Sequence, residues 1–154
     1  MLQNNKMNKI IIAHRANLNG PSDKENTAES VVVCLDKGLN VEIDVWYESA
    51  TGFWLGHDKP MFNLYGSDEL FLMDEVWCHA KNLEAALKLK EIGAHYFWHQ
   101  EDDFTLTSKG YFWTYPGKKL SENSIAVMPE LKYDEATLHL AYGICTDFPL
   151  RYID

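Results

Sequence analysis

The stretch from Lys9 to Ser49 constrains the fold more than any other. An apolar run, Ile10-Ile11-Ile12-Ala13, leads into "ENTAESVVVCLDKG" and then into "NVEIDVWYES". The first segment is short, β-branched and apolar, as a buried strand is. The second has the marks of a helix. Asn26 stands at the cap with Glu29 at the N3 position, Ala28, Val31, Val32 and Leu35 share a face, and Gly38 stops it. The third alternates, so Val41, Ile43 and Val45 point one way while Glu42, Asp44 and Trp46 point the other. Strand, helix, strand is the unit of a parallel sheet with helices over its faces.

The rest of the chain repeats the theme. "NLEAALKLKEIG" reads as a second helix, with Asn82 as cap, Glu84 and Lys88 paired one turn apart, and Gly93 at the end. "YDEATLHLAYG" reads as a weaker third, from Asp134 to a stop at Gly143. Strands are expected at 76–81, 95–99, 111–115, 124–128 and 144–147. Residues 100–130 lack helical periodicity and read as a hairpin or irregular excursion, with Gly110 in the turn and Pro116-Gly117 closing it. A length of 154 residues without repeats or linkers implies one α/β domain spanning 1–154.

A formal charge of −9 argues against nucleic-acid and anionic-membrane partners, which demand a basic face. An anionic small molecule would have to be met locally, by a few placed cations or a metal. Cys34, Cys78 and Cys145 are widely spaced and odd in number, which fits buried thiols in a reducing compartment. The apolar run in "MLQNNKMNKIIIAHR" is too short for a signal peptide or a membrane span, so a cytoplasmic protein is expected.

Glu42 and Asp44 raise the chemical question. Two carboxylates at adjacent same-face positions of a strand covered on both sides repel each other and lose hydration, which a divalent cation relieves. The plainer reading is an edge strand with a solvated acidic face. His57, after Gly56, sits at a strand end where an imidazole can move protons near neutrality; taken singly, such a histidine is ordinary structure. In "VWCHAK", Trp77, His79 and Lys81 fall on one face, and His79 with Lys81 could complete a metal shell and neutralise phosphate. His99 ends a strand and could face the same pocket, whereas Glu101-Asp102-Asp103 lack calcium-loop spacing.

The order of these pieces, "AHRA…ENTAES…VEIDVW…LGHD" and then "GICTDFP", resembles the glycerophosphodiester phosphodiesterase family, among the phospholipase-C-like phosphodiesterases. The resemblance is specific over residues 10–58, weaker at 76–81 and 143–149, and absent between. It implies a (β/α)₈ barrel of the TIM type and a metal-dependent phosphodiester hydrolase acting on a small glycerophosphodiester-like substrate. His14 and His57 would be the acid/base pair, Arg15 and Lys81 would hold the phosphate, Glu42 and Asp44 would bind the metal, and Glu25 would orient the site or support the metal shell. Asn26 is accounted for as the helix cap.

The chain also departs from the family. His79 stands where the family has a third metal-binding carboxylate, which admits Mn²⁺ or Zn²⁺ beside the Mg²⁺ or Ca²⁺ otherwise expected. Ala16 replaces the glycine after His-Arg. Barrels of this type run to at least about 200 residues. The expectation is therefore a reduced or incomplete barrel with several helices replaced by loops, or one whose gap a second copy of the chain covers. The rival reading is a catalytically degenerate module that binds phosphate or sugar phosphate on the same fold.

Overall fold

The computed structural model describes residues 8–153; the first seven residues of the N-terminal stretch read above lie outside them. Ten strands and three α-helices follow in order: β1 (Ile10–Ala13), α1 (Ala28–Asp36), β2 (Asn40–Glu48), β3 (Gly52–Leu55), β4 (Phe62–Asn63), β5 (Val76–Ala80), α2 (Leu83–Ile92), β6 (Tyr96–Trp98), β7 (Phe104–Leu106), β8 (Phe112–Thr114), β9 (Ser124–Val127), α3 (Glu135–Leu138) and β10 (Gly143–Thr146).

Parallel ladders join seven strands in the order β6-β5-β2-β1-β10-β9-β8, and β7 pairs antiparallel with β8 as the expected hairpin. The β3–β4 hairpin extends antiparallel from the far end of β2. The eight-strand path curls until its ends meet. The Ser108 N–H donates to the Tyr96 carbonyl at 2.8 Å and His99 Nδ1 lies 3.1 Å from Thr105 Oγ1, but no ladder joins β6 to β7. The result is a mixed α/β, incomplete barrel with few helices. No helix among the described residues is long and apolar enough to cross a membrane.

Alternation along the strands divides the core in two. Ile11, Ala13, Val41, Ile43, Val45, Cys78 and Ala80 face outward and pack with Val31 and Cys34 of α1 and Ala85 and Leu89 of α2. Ile12, Trp77, Phe97, Trp113, Ile125 and Cys145 fill the interior. Above that plug, toward the C-terminal strand ends, the inward positions turn polar. In the β2–β5 register Glu42 lies beside Trp77 and Asp44 beside His79.

Three local expectations are corrected. The cap of α1 is Thr27, whose side chain accepts from the Ser30 N–H, and Asn26 takes a left-handed φ of 56° with its amide turned to β2. The buried face of α1 is Val31 and Cys34, while Val32, expected on that face, is half exposed. Gly143 opens β10 and does not stop a helix. A Cβ there would come within 2.7 Å of the Ile10 carbonyl oxygen, so glycine is what lets β10 lie against β1.

Below the plug, His95 Nε2 lies 2.8 Å from Thr107 Oγ1, and its ring centroid is 4.1 Å from that of Trp77. Burial, with a smaller push from the Lys109 charge, takes His95 down to about 4. Between pH 6.5 and 4 the unfolded chain therefore binds a proton at position 95 that the folded chain refuses, and stability falls as pH drops through that window. Unfolding free energies from urea titrations between pH 7 and pH 4 are expected to fall less steeply in His95→Asn than in the native chain, by up to ~1.4 kcal/mol per pH unit. Parallel curves would mean that His95 charges in place.

Candidate active site

β1 ends in a tight turn that aims two side chains. Arg15 and Ala16 both adopt left-handed backbone, φ 52° and 60°, a conformation that costs a residue with a Cβ about 1–2 kcal/mol. The turn is held from both sides. The Arg15 N–H donates to Glu42 Oε2 at 3.1 Å, and the Arg15 carbonyl accepts from the Asn26 N–H at 2.8 Å. It leaves His14 with Nδ1 2.9 Å from Asp147 Oδ1 and Nε2 3.8 Å from Glu42 Oε2. Burial alone would lower the His14 pKa; the Asp147 hydrogen bond and the charges of Glu42 and Asp147 outweigh it and raise it.

Glu42 and Asp44 are 2% and 1% exposed, which removes the solvated-edge alternative. Burial and then the Asp44 charge push the Glu42 pKa up, against the pull of His14, His79 and the Arg15 N–H. Asp44 meets the same burial but is held at about 2 by His79, the Asn26 amide and Lys81. Asn26 grips it twice: Nδ2 donates to Asp44 Oδ2 at 3.0 Å, and Oδ1 accepts the Asp44 N–H at 2.9 Å. His79 Nδ1 lies 3.1 Å from Asp44 Oδ1 and 4.0 Å from Glu42 Oε1; Lys81 Nζ is 4.0 Å from Asp44 Oδ1 and Arg15 Nε 3.7 Å from Asp44 Oδ2.

His57 arrives from the β3–β4 hairpin. The Gly56 N–H donates to the Asp44 carbonyl at 3.2 Å, and Trp46 Nε1 donates to the Gly56 carbonyl at 2.7 Å, so β2 itself carries the loop to the cavity. A Cβ on Gly56 would sit 2.1 Å from the Lys59 carbonyl oxygen, which explains the glycine. His57 Nδ1 meets Asp58 Oδ1 at 2.7 Å, leaving Nε2 unengaged by that bond.

One cavity of about 490 Å³ is lined by His14, Arg15, Glu42, Asp44, His57, His79, Lys81 and His99, with Trp98, Trp113 and Tyr115 on its wall. Seven of the eight residues given site roles from the sequence line it, and so does His99, expected to face the same pocket. The eighth, Glu25, stands behind Arg15, with Oε1 3.4 Å from Arg15 Nη1. Three participants were not foreseen. Asp147 follows Cys145 in the inward phase of β10, and that alternation was the available signal. Asn17 donates through Nδ2 to both Asp147 and Glu25, each at 3.0 Å. Asn26 was taken for the cap because an Asx residue at a helix start carries no local mark of a second use.

Glu42, Asp44 and His79 can also hold an ion: each offers one donor atom, all within 4.8 Å of one another. His79 Nε2 lies 3.1 Å from the His99 carbonyl oxygen, which only accepts, so Nε2 carries hydrogen. Nδ1 can then face Asp44 only with a proton on it or a cation in front of it. The donor set therefore fits a divalent cation.

Asn26→Ala removes two buried bonds to Asp44, one to its ionised carboxylate and one to its backbone N–H, and ~2–3 kcal/mol of stability is expected to go with them. Thr27→Ala removes the cap bond together with the less buried hydroxyl contacts to Lys24 and Ser30, at ~1 kcal/mol. Denaturant titration of the two variants separates them; equal losses would mean that Asn26 does nothing for Asp44.

No protein-family model, curated protein or solved structure matches this chain, so the site is read from its own residues.

Proposed function

We propose that the protein is a metal-dependent phosphodiester hydrolase acting on a small glycerophosphodiester-like substrate, built on a reduced barrel of the TIM type. One observation carries the reading: His14 and His57, two buried carboxylates, an arginine and a lysine share a single cavity. Anion binding alone has no use for a pair of histidines beside a pair of buried acids.

A phosphodiester resists water because its charge repels nucleophiles and its leaving alkoxide is poor. Arg15 and Lys81 line the cavity and supply positive charge to the non-bridging oxygens as charge builds on them. A divalent cation on Glu42, Asp44 and His79 would add Lewis-acid neutralisation of the same oxygens. Of His14 and His57, one removes a proton from the attacking water or a substrate hydroxyl, and the other protonates the leaving oxygen. Glu25, fixed by Asn17, holds the Arg15 guanidinium from behind.

The second reading, a phosphate-binding module without turnover, has its own support. Asp44 already has His79, Arg15 and Lys81 within 4.0 Å, so much of the buried charge is compensated within the chain. Calorimetric titration with glycerol phosphate beside a turnover assay separates the two readings.

Hydrolysis of glycerophosphodiesters is expected to require divalent metal and to fall about 10²–10⁴-fold in His14→Ala and in His57→Ala. Full activity after EDTA treatment, or in His14→Ala, would refute the assignment.

The pH profile is expected to be a bell. His14, raised above the ordinary imidazole value of 6.5, is protonated below its own midpoint, so one limb lies above pH 6.5. Removing the Asp147 charge lowers that midpoint, and the limb moves down in Asp147→Asn. A limb unmoved by that substitution would assign it to another group.

A further inference from the structure

Each buried carboxylate has one oxygen already engaged. Asp44 Oδ2 accepts from Asn26 Nδ2 at 3.0 Å, and Glu42 Oε2 accepts from the Arg15 N–H at 3.1 Å. The oxygens left over, Asp44 Oδ1 and Glu42 Oε1, are the ones that face His79 Nδ1, at 3.1 and 4.0 Å. The His99 carbonyl holds the other nitrogen of that ring as N–H. Three single donors thus converge, two oxygens and one nitrogen. Lys81 Nζ is the competing cation, 4.0 Å from Asp44 Oδ1 and beyond hydrogen-bond length.

From this arrangement, and resting on the metal-dependent reading above, we propose that Glu42, Asp44 and His79 form a site for a borderline dication of the Zn²⁺ class, in place of the hard Mg²⁺ or Ca²⁺ that the family resemblance implies. Ca²⁺ takes about 6–8 oxygens and commonly chelates carboxylates through both. Bidentate chelation would load Asp44 Oδ2 and Glu42 Oε2, which already accept from Asn26 and from the Arg15 backbone, and the third donor is nitrogen. Mg²⁺ also favours oxygen and parts slowly with its waters. Three protein donors that include an oriented imidazole, with room beside them in the cavity, suit a zinc-like ion that keeps open positions. Tetrahedral metal–ligand bonds of ~2.1 Å put neighbouring donors ~3.4 Å apart, between the 3.1 and 4.0 Å that separate His79 Nδ1 from Asp44 Oδ1 and Glu42 Oε1.

The test uses the full chain, stripped with EDTA and dialysed, titrated separately with Zn²⁺, Mn²⁺, Mg²⁺ and Ca²⁺ in a calorimeter. Because zinc outcompetes magnesium at most sites, the quantity read is the ratio of the two affinities in the native chain against that in His79→Glu. The ratio is expected to be at least tenfold larger in the native chain. In ¹⁵N-histidine spectra, saturating Zn²⁺ is expected to shift Nδ1 of the one ring whose signals vanish in His79→Gln, with its Nε2 hydrogen retained. An unchanged ratio, or a His79 ring that zinc leaves unmoved, overturns the proposal. Should His79→Glu fail to fold by circular dichroism, the native ring shift decides alone. Hydrolysis supported by Mg²⁺ or Ca²⁺ with His79 unmoved overturns this proposal and leaves the hydrolase standing; absence of any dication binding overturns both.

Discussion

Two carboxylates two residues apart on the inner face of β2 organise the rest of the site. Burying one unpaired carboxylate costs several kcal/mol, and a second beside it adds repulsion. The chain answers by surrounding the pair. Asn26 reaches across from the start of α1, Arg15 lends a backbone N–H, His14 and His79 approach from β1 and β5, and Lys81 comes from the end of β5. The compensation is uneven. Asp44 receives most of it and stays ionised, while Glu42 is left the weaker acid. A cation bound there would even out that difference, so the stability of this part of the fold and any affinity for a metal would be one electrostatic matter.

The same requirement explains how a chain of 154 residues keeps the site without eight helices. The elements that build it are concentrated in one part of the curled sheet. β1, β2 and β5 carry most of the polar groups, β10 leads into Asp147, and α1 and α2 are the two longest helices, packed on the outward faces of β2 and β5. The opposite part, β6 to β9, contributes aromatic wall and interior plug: Trp98, Trp113 and Phe97. There the connections shrink to loops, and β7 turns back antiparallel. Exposed Phe104, Leu106 and Phe112 mark where that sheet goes uncovered. Helices are retained where they back the charged strands and are missing where the strands need only fill space.

This division also set what could be read from the sequence. The β1–α1–β2 unit, the strand phases and the inward direction of Glu42, Asp44, Trp77 and His79 follow from alternation, because a period of two is unambiguous once both faces are buried. The hairpin at 104–114 followed from turn chemistry around Gly110. Legibility ended where one residue type serves two purposes. Asn26 resembles a cap and is a clamp on Asp44; Gly143 resembles a helix stop and is a contact between strands. Asn17 and Asp147 are 130 positions apart and meet only because β1 and β10 are adjacent in the sheet. No local pattern encodes such a pairing.

That pairing matters beyond bookkeeping of contacts. Asn17 donates to Asp147 and to Glu25; Asp147 receives His14, and Glu25 receives Arg15. The imidazole and the guanidinium, neighbours in sequence but side chains of different reach, are thereby held from behind by one connected set of hydrogen bonds. The turn between them is strained at Arg15 and Ala16, and strain of this kind persists only where the surroundings over-determine it. Here the surroundings are the site itself: Glu42 grips the turn in front, and Asn26 and Asn17 grip it from behind. The strained turn sets the directions of His14 and Arg15, and the polar network that maintains it reaches both the acid pair and the end of the last strand. Removing Asn17, the one residue bonded to both anchors, should loosen His14 and Arg15 together, because Asp147 holds the one and Glu25 the other.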